Sequence, residues 1–90
     1  MNSKEQINST IVTECNRIKD LLLDKNNAYN NSLHEVGLLF PMDVSTGIKA
    51  RINDKLNRIK QTGLSDVTED TLDDLIGYLI HLNISIKLNK

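Results

Sequence analysis

A chain of 90 residues is one domain's worth of sequence, and a domain this small is marginal as a monomer. With 11 Lys and Arg against 12 Asp and Glu, the chain is near neutral, which excludes a strongly basic groove for duplex nucleic acid but allows a local basic stripe. The lone Cys15 excludes an intrachain disulfide and fits a reducing compartment. MNSKEQINST carries no apolar signal core, and no apolar run reaches the roughly 20 residues of a membrane span, so a cytoplasmic protein without a membrane partner is expected.

Aromatic residues are scarce, so the core must be built from Ile, Leu and Val. The single proline, Pro41, and only four glycines favour long helices over a turn-rich β fold. The first helix is expected from Ser3 to Asp24. Ser3 with Gln6 reads as a capping box. Ile7, Ile11, Cys15, Ile18 and Leu22 recur at helical spacing, and Val12, Leu21 and Leu23 widen the face. LysAsnAsn at 25–27 is the expected stop, because asparagine tolerates the left-handed conformation. AlaTyrAsnAsnSer at 28–32 is rich in turn formers. A short helix is expected over Leu33–Leu39, weakened by Gly37 and closed by Pro41.

The second long helix is expected over Ser45–Thr62, with Asp43 or Ser45 as its N-cap and Gly63 as its stop. Its apolar stripe is Ile48, Ile52, Leu56 and Ile59. A third begins between Asp66 and Thr68, with Asp66 and Glu69 as a capping box, and runs to Leu88. Leu72, Leu75, Ile76, Leu79, Ile80, Leu82 and Asn83 form its expected inner side. The alternation IleSerIleLysLeu also fits a short strand, but continued helix is the preferred reading. The fold class is therefore all-α: one domain, 1–90, a small bundle of three long helices and one short one. The first and last helices carry more apolar surface than one neighbour covers, so a homo-oligomer is expected.

The third helix holds Glu69, Asp70, Asp73 and Asp74 within two turns. Asp70, Asp74 and Tyr78 share one stripe, with His81 near it. Like charges at i, i+4 repel, so a compensating cation is needed. A magnesium ion is one candidate, since one or two carboxylates with water and phosphate suffice to hold it. The other is the basic stripe Arg51, Lys55 and Arg58, which would form an ion-pair ladder if the second and third helices pack antiparallel. Glu69 and Asp70 are also explained simply as acidic residues favoured at a helix start. A purely structural reading has Asp74 as a salt-bridge partner of the second helix, Tyr78 at a core edge and His81 solvated or capped. Cys15 has no activating base in sight, and no glycine-rich phosphate loop occurs.

Three blocks stand in order: LysAsnAsnAlaTyrAsnAsnSer at 25–32, ArgIleAsnAspLysLeuAsnArgIle at 51–59 and GluAspThrLeuAspAspLeuIleGlyTyr at 69–78. Together they resemble the nucleotide-modification-associated domain 1 family, a small helical family common in phages. The helical carboxylates are also similar to those of the MazG-like pyrophosphohydrolases, which are oligomeric and magnesium-dependent. The resemblance implies a pocket for a nucleotide or a nucleotide-derived ligand, linear or cyclic. Lys25, Tyr29, Asn30 and Ser32 would line it, with Arg51, Asp54, Lys55 and Arg58 from the second helix and Tyr78 from the third. Asp70 and Asp74 would hold magnesium, if any metal is bound. The MazG pattern has two carboxylate pairs; here the second helix offers Asp54 among cations and Glu35 stands alone beside His34. At most one metal is supportable, which favours binding, for example sequestration of an immune messenger in a host cytoplasm. A magnesium-dependent pyrophosphohydrolase or nucleotide-modification accessory enzyme is the alternative, and a structural interaction bundle is a third.

Overall fold

The computed structural model describes residues 3–39, 41–64 and 69–88. All regular structure among them is helical: α1 (Lys4–Tyr29), a 3-10 turn (Ser32–His34), α2 (Val44–Thr62) and α3 (Glu69–Leu88). No helix among the described residues is long and apolar enough to cross a membrane. The chain divides into two compact units, Met1–Asn30 and Asn31–Lys90.

The first unit is α1. Ser3 sits in extended conformation and its hydroxyl accepts from the Gln6 N–H at 3.1 Å, satisfying one of the orphan donors at the helix start. The Thr10 and Thr13 hydroxyls donate back to the carbonyls of Gln6 and Ser9, so neither competes with the helix ladder. Arg17 and Glu14 pair at 2.8 Å on the exposed surface, a contact of small energetic weight. The helix does not stop at Asp24. LysAsnAsn at 25–27 stays helical, and the stop is Asn30, at φ 52° and ψ 54°, whose N–H donates to the Asn26 carbonyl. Asn31 follows at φ 64°. The stopping chemistry is the one expected, but four asparagines compete for the role. An interior Asn costs a helix only about half a kcal/mol, so an established ladder runs through the first two.

The second unit begins at Asn31. The expected helix over 33–39 is reduced to the single turn Ser32–His34, with Glu35 already extended at φ −117° and ψ 151°. Leu38 and Leu39 lie open to solvent, so no burial offsets the cost of ordering a longer helix across Gly37. α2 starts where expected. Asp43 is its N-cap: one carboxylate oxygen accepts from the Ser45 hydroxyl at 2.8 Å and the Thr46 N–H at 3.4 Å, the other from the Thr46 hydroxyl. These bonds, that from the Thr46 hydroxyl first, hold the Asp43 carboxyl below its ordinary range. α2 ends at Gly63, whose φ of 74° favours glycine and whose N–H reaches the Ile59 carbonyl at 2.7 Å.

α2 and α3 form an antiparallel helical hairpin, with Lys55 and Asp74 meeting near the closed end and His34 and His81 near the open end. The Asp66 capping box lies outside the described residues. α3 continues through the alternating segment to Leu88, so the helical reading of the tail holds. Two faces differ from expectation. On α2, Ile48 is fully buried and Ile52 and Ile59 half-buried, but Lys55 turns inward in place of Leu56, which is 51% exposed. On α3 the inner side is the polar one. Thr71, Gly77 and Ser85 are buried, and Asp74, Tyr78, His81, Leu75 and Leu82 half-buried, while Leu72, Ile76, Leu79, Ile80 and Asn83 are exposed. Small side chains allow close helix approach, and Asp74 finds its cation on α2. The Ser85 hydroxyl is satisfied by the Leu82 carbonyl at 2.8 Å, so its burial leaves no orphan.

Candidate functional site

The site begins with the cationic stripe of α2. Arg51, Lys55 and Arg58 are spaced so that all three fall on one flank of the helix. The Lys55 ammonium lies 3.0 Å from the Asp74 carboxylate, with side chains 19% and 21% exposed. At this depth the two charges are partly desolvated and each depends on the other. One rung of the expected ion-pair ladder is therefore present. Arg51 and Arg58, a turn to either side, are exposed, and among the described residues neither guanidinium has an ion-pair partner. Two free guanidinium forks on one flank can each bind a phosphate oxygen pair.

Around the stripe, Tyr78 is half-buried on α3, one turn from Asp74, and Asp54 and Asp70 are exposed. Lys25, Tyr29 and Asn30 belong to the last turn and cap of α1 in the first unit, rather than to an irregular loop. Ser32 opens the 3-10 turn in the second unit. Among the described residues no group of three or more His, Cys, Asp and Glu side chains is grouped as a metal site. The Asp74 carboxylate, one of the two sequence-derived metal ligands, is engaged by the Lys55 ammonium.

Sequence reasoning missed one pair. His34 Nε2 and His81 Nδ1 lie 2.9 Å apart, with ring centroids separated by 5.0 Å. His81 is thus neither solvated nor capped but bonded to the 3-10 turn. No local pattern signals this, since the two residues are 47 positions apart. One ring must donate and the other accept, so the pair is satisfied only when at least one imidazole is neutral. Burial, and secondarily the charge of His34, lower the His81 pKa from the ordinary 6.5. On acidification the unfolded chain takes up its proton first, so stability is fully present above about 6.5 and is lost as the pH falls from there through the lower folded value. The melting temperature of the protein is expected to drop between pH 7.5 and pH 5 more steeply than that of His81→Gln. Equal slopes in the two proteins would exclude the pair as the cause.

Comparison of the chain with protein-family models, curated proteins and solved structures finds no match in any of the three.

Proposed function

We propose that the chain is a homo-oligomeric nucleotide-binding protein that holds a nucleotide or nucleotide-derived ligand against the α2 flank without breaking it. The observation that carries this reading is the pair Arg51 and Arg58. Both are exposed on the flank of Lys55, whose own charge is balanced by Asp74. The stripe is thus a neutralised centre with two available cationic ends, an arrangement suited to a ligand with more than one phosphate. Tyr78, half-buried on α3 one turn from Asp74, is the aromatic side chain assigned to the site. The likeness of 25–32, 51–59 and 69–78 to a phage nucleotide-associated family supplies the ligand class, and with it a role in sequestering a nucleotide signal. Binding is preferred to magnesium-dependent hydrolysis because an ammonium already occupies the Asp74 carboxylate.

The test is a thermal-shift screen against mono-, di- and triphosphates and cyclic dinucleotides, with and without magnesium, followed by chromatography of the recovered ligand. A ligand at about 100 times its Kd adds about 2.7 kcal/mol of stability, a rise of roughly 10–20 °C for a chain of this size. The expected rise does not need magnesium, weakens with salt and disappears in Arg51→Gln/Arg58→Gln, and the ligand returns intact. A shortened ligand would establish the hydrolase instead. No shift with any nucleotide would remove the pocket.

A further inference from the structure

α3 has a face that the α2–α3 hairpin does not use. Leu72 is 44% exposed, Ile76 37%, Leu79 49% and Ile86 53%, with exposed Asn83 among them. These five residues are spaced 4, 3, 4 and 3 apart, the spacing of a coiled-coil seam. In a heptad lettered a to g, Ile76 and Asn83 are at a, and Leu72, Leu79 and Ile86 at d. The residues buried or half-buried on the hairpin side, among them Thr71, Asp74, Gly77, Tyr78, His81 and Ser85, fall at b, c and f, with Leu75 and Leu82 at g. α3 is therefore two-faced: its back is fixed in the hairpin and its front is a complete seam about 21 Å long.

We infer that this seam pairs with α3 of a second copy, parallel and in register, so that two hairpins form a symmetric dimer around it. The occupant is read from the seam's own chemistry. The seam carries Ile76 and Asn83 at a and Leu72, Leu79 and Ile86 at d, and β-branched Ile at a with Leu at d, as at Ile76 and Leu79, favours two parallel strands. Asn83 decides between partners. Against an apolar face of another protein its amide would be buried without a partner, at a cost of roughly 1–3 kcal/mol. Across a parallel two-fold axis it meets its own equivalent, and the two amides bond to each other. A single Asn at an a position is also a device that fixes register and two-strand stoichiometry. Lys87 and Asp73, at e, border the seam with charge. Ile80, also at e and 40% exposed, extends the apolar strip beside Leu79. The inference rests on the self-association in the proposed function and specifies its face, orientation and number; it is independent of the ligand.

The experiment is the mass of the intact protein by light scattering across about 1 to 500 μM, a span that reads a dimer Kd anywhere in the micromolar range. Leu79→Lys is expected to raise the dimer Kd about 100-fold, because a central seam residue is lost and two ammonium groups face each other. Leu56→Lys, on the exposed side of α2, is expected to leave the Kd unchanged. Leu72 is exposed within the protomer, so Leu72→Cys in a Cys15→Ser background should fold and, on oxidation, crosslink into a covalent dimer. A parallel seam brings the α-carbons of the two substituted positions within disulfide reach, whereas an antiparallel one sets them roughly 20 Å apart. A dimer unaffected by Leu79→Lys leaves self-association standing and removes this face from it. A dimer that Leu79→Lys breaks but Leu72→Cys does not crosslink overturns the parallel register. A monomer at every concentration overturns both self-association and the seam.

Discussion

Replacing Ile48 by Ala is expected to destabilise the α2–α3 unit by about 3 kcal/mol, within the range for an isoleucine truncated at full burial. Ile48 is the one wholly buried large apolar side chain among the described residues, with none of its surface exposed. The other apolar residues of its stripe on α2, Ile52 and Ile59, are only half-buried, and the buried residues of α3 are the small Thr71, Gly77 and Ser85. A core with so few large apolar side chains has little that can collapse into the vacancy. Stabilities of natural domains run from about 5 kcal/mol upward and small domains lie near the low end, so the variant should lose most of its folding margin. Urea denaturation followed by circular dichroism reads the loss as a lower midpoint with unchanged slope. Ile48→Val, which removes one methyl group, should cost only about 1 kcal/mol. A loss below about 1 kcal/mol for the alanine variant would mean that the hairpin is not organised around this residue.

The start and end of α2 were legible in the sequence because each is set by local chemistry. Asp43 caps through Ser45 and Thr46, two and three positions away, and Gly63 stops the helix through its own φ. The all-helical class was legible from periodicity. What periodicity does not reveal is which neighbour takes which face. On α3 the apolar arc spans Leu72, Ile76, Leu79 and Ile80, and the natural reading turns it inward. The inner contact is decided instead by Lys55 and Asp74 finding each other and by the small volumes of Thr71, Gly77 and Ser85. The same exchange moves Leu56 out and Lys55 in on α2. The α1 terminus was misplaced for a different reason: asparagines at 26, 27, 30 and 31 are equivalent in propensity, and only the chain's onward path selects among them. Of the candidate site, the Arg51–Lys55–Arg58 stripe and its meeting with Asp74 were legible from charge spacing on two helices. The His34–His81 bond was not, because it depends on a tertiary contact at the open end of the hairpin.

Asp74→Asn is the second change with a large expected effect, and it bears on stability and function at once. The carboxylate and the Lys55 ammonium are about four-fifths buried and 3.0 Å apart. Neutralising one leaves the other desolvated without its counter-charge, which costs about 3–5 kcal/mol at full burial and, with this residual exposure, about 1–3 kcal/mol here. Lys55→Met in the same chain removes the orphaned charge and should recover most of that loss, so the double variant is expected to be more stable than Asp74→Asn alone. The functional consequence separates binder from hydrolase. If phosphates are held by Arg51 and Arg58, deleting a negative charge from their flank leaves nucleotide affinity per folded molecule equal or higher, measured by titration calorimetry below the melting temperature. If Asp74 instead holds a metal during turnover, the same variant abolishes hydrolysis while binding largely survives. A loss of affinity without unfolding would fit neither, and would make Asp74 a direct ligand contact.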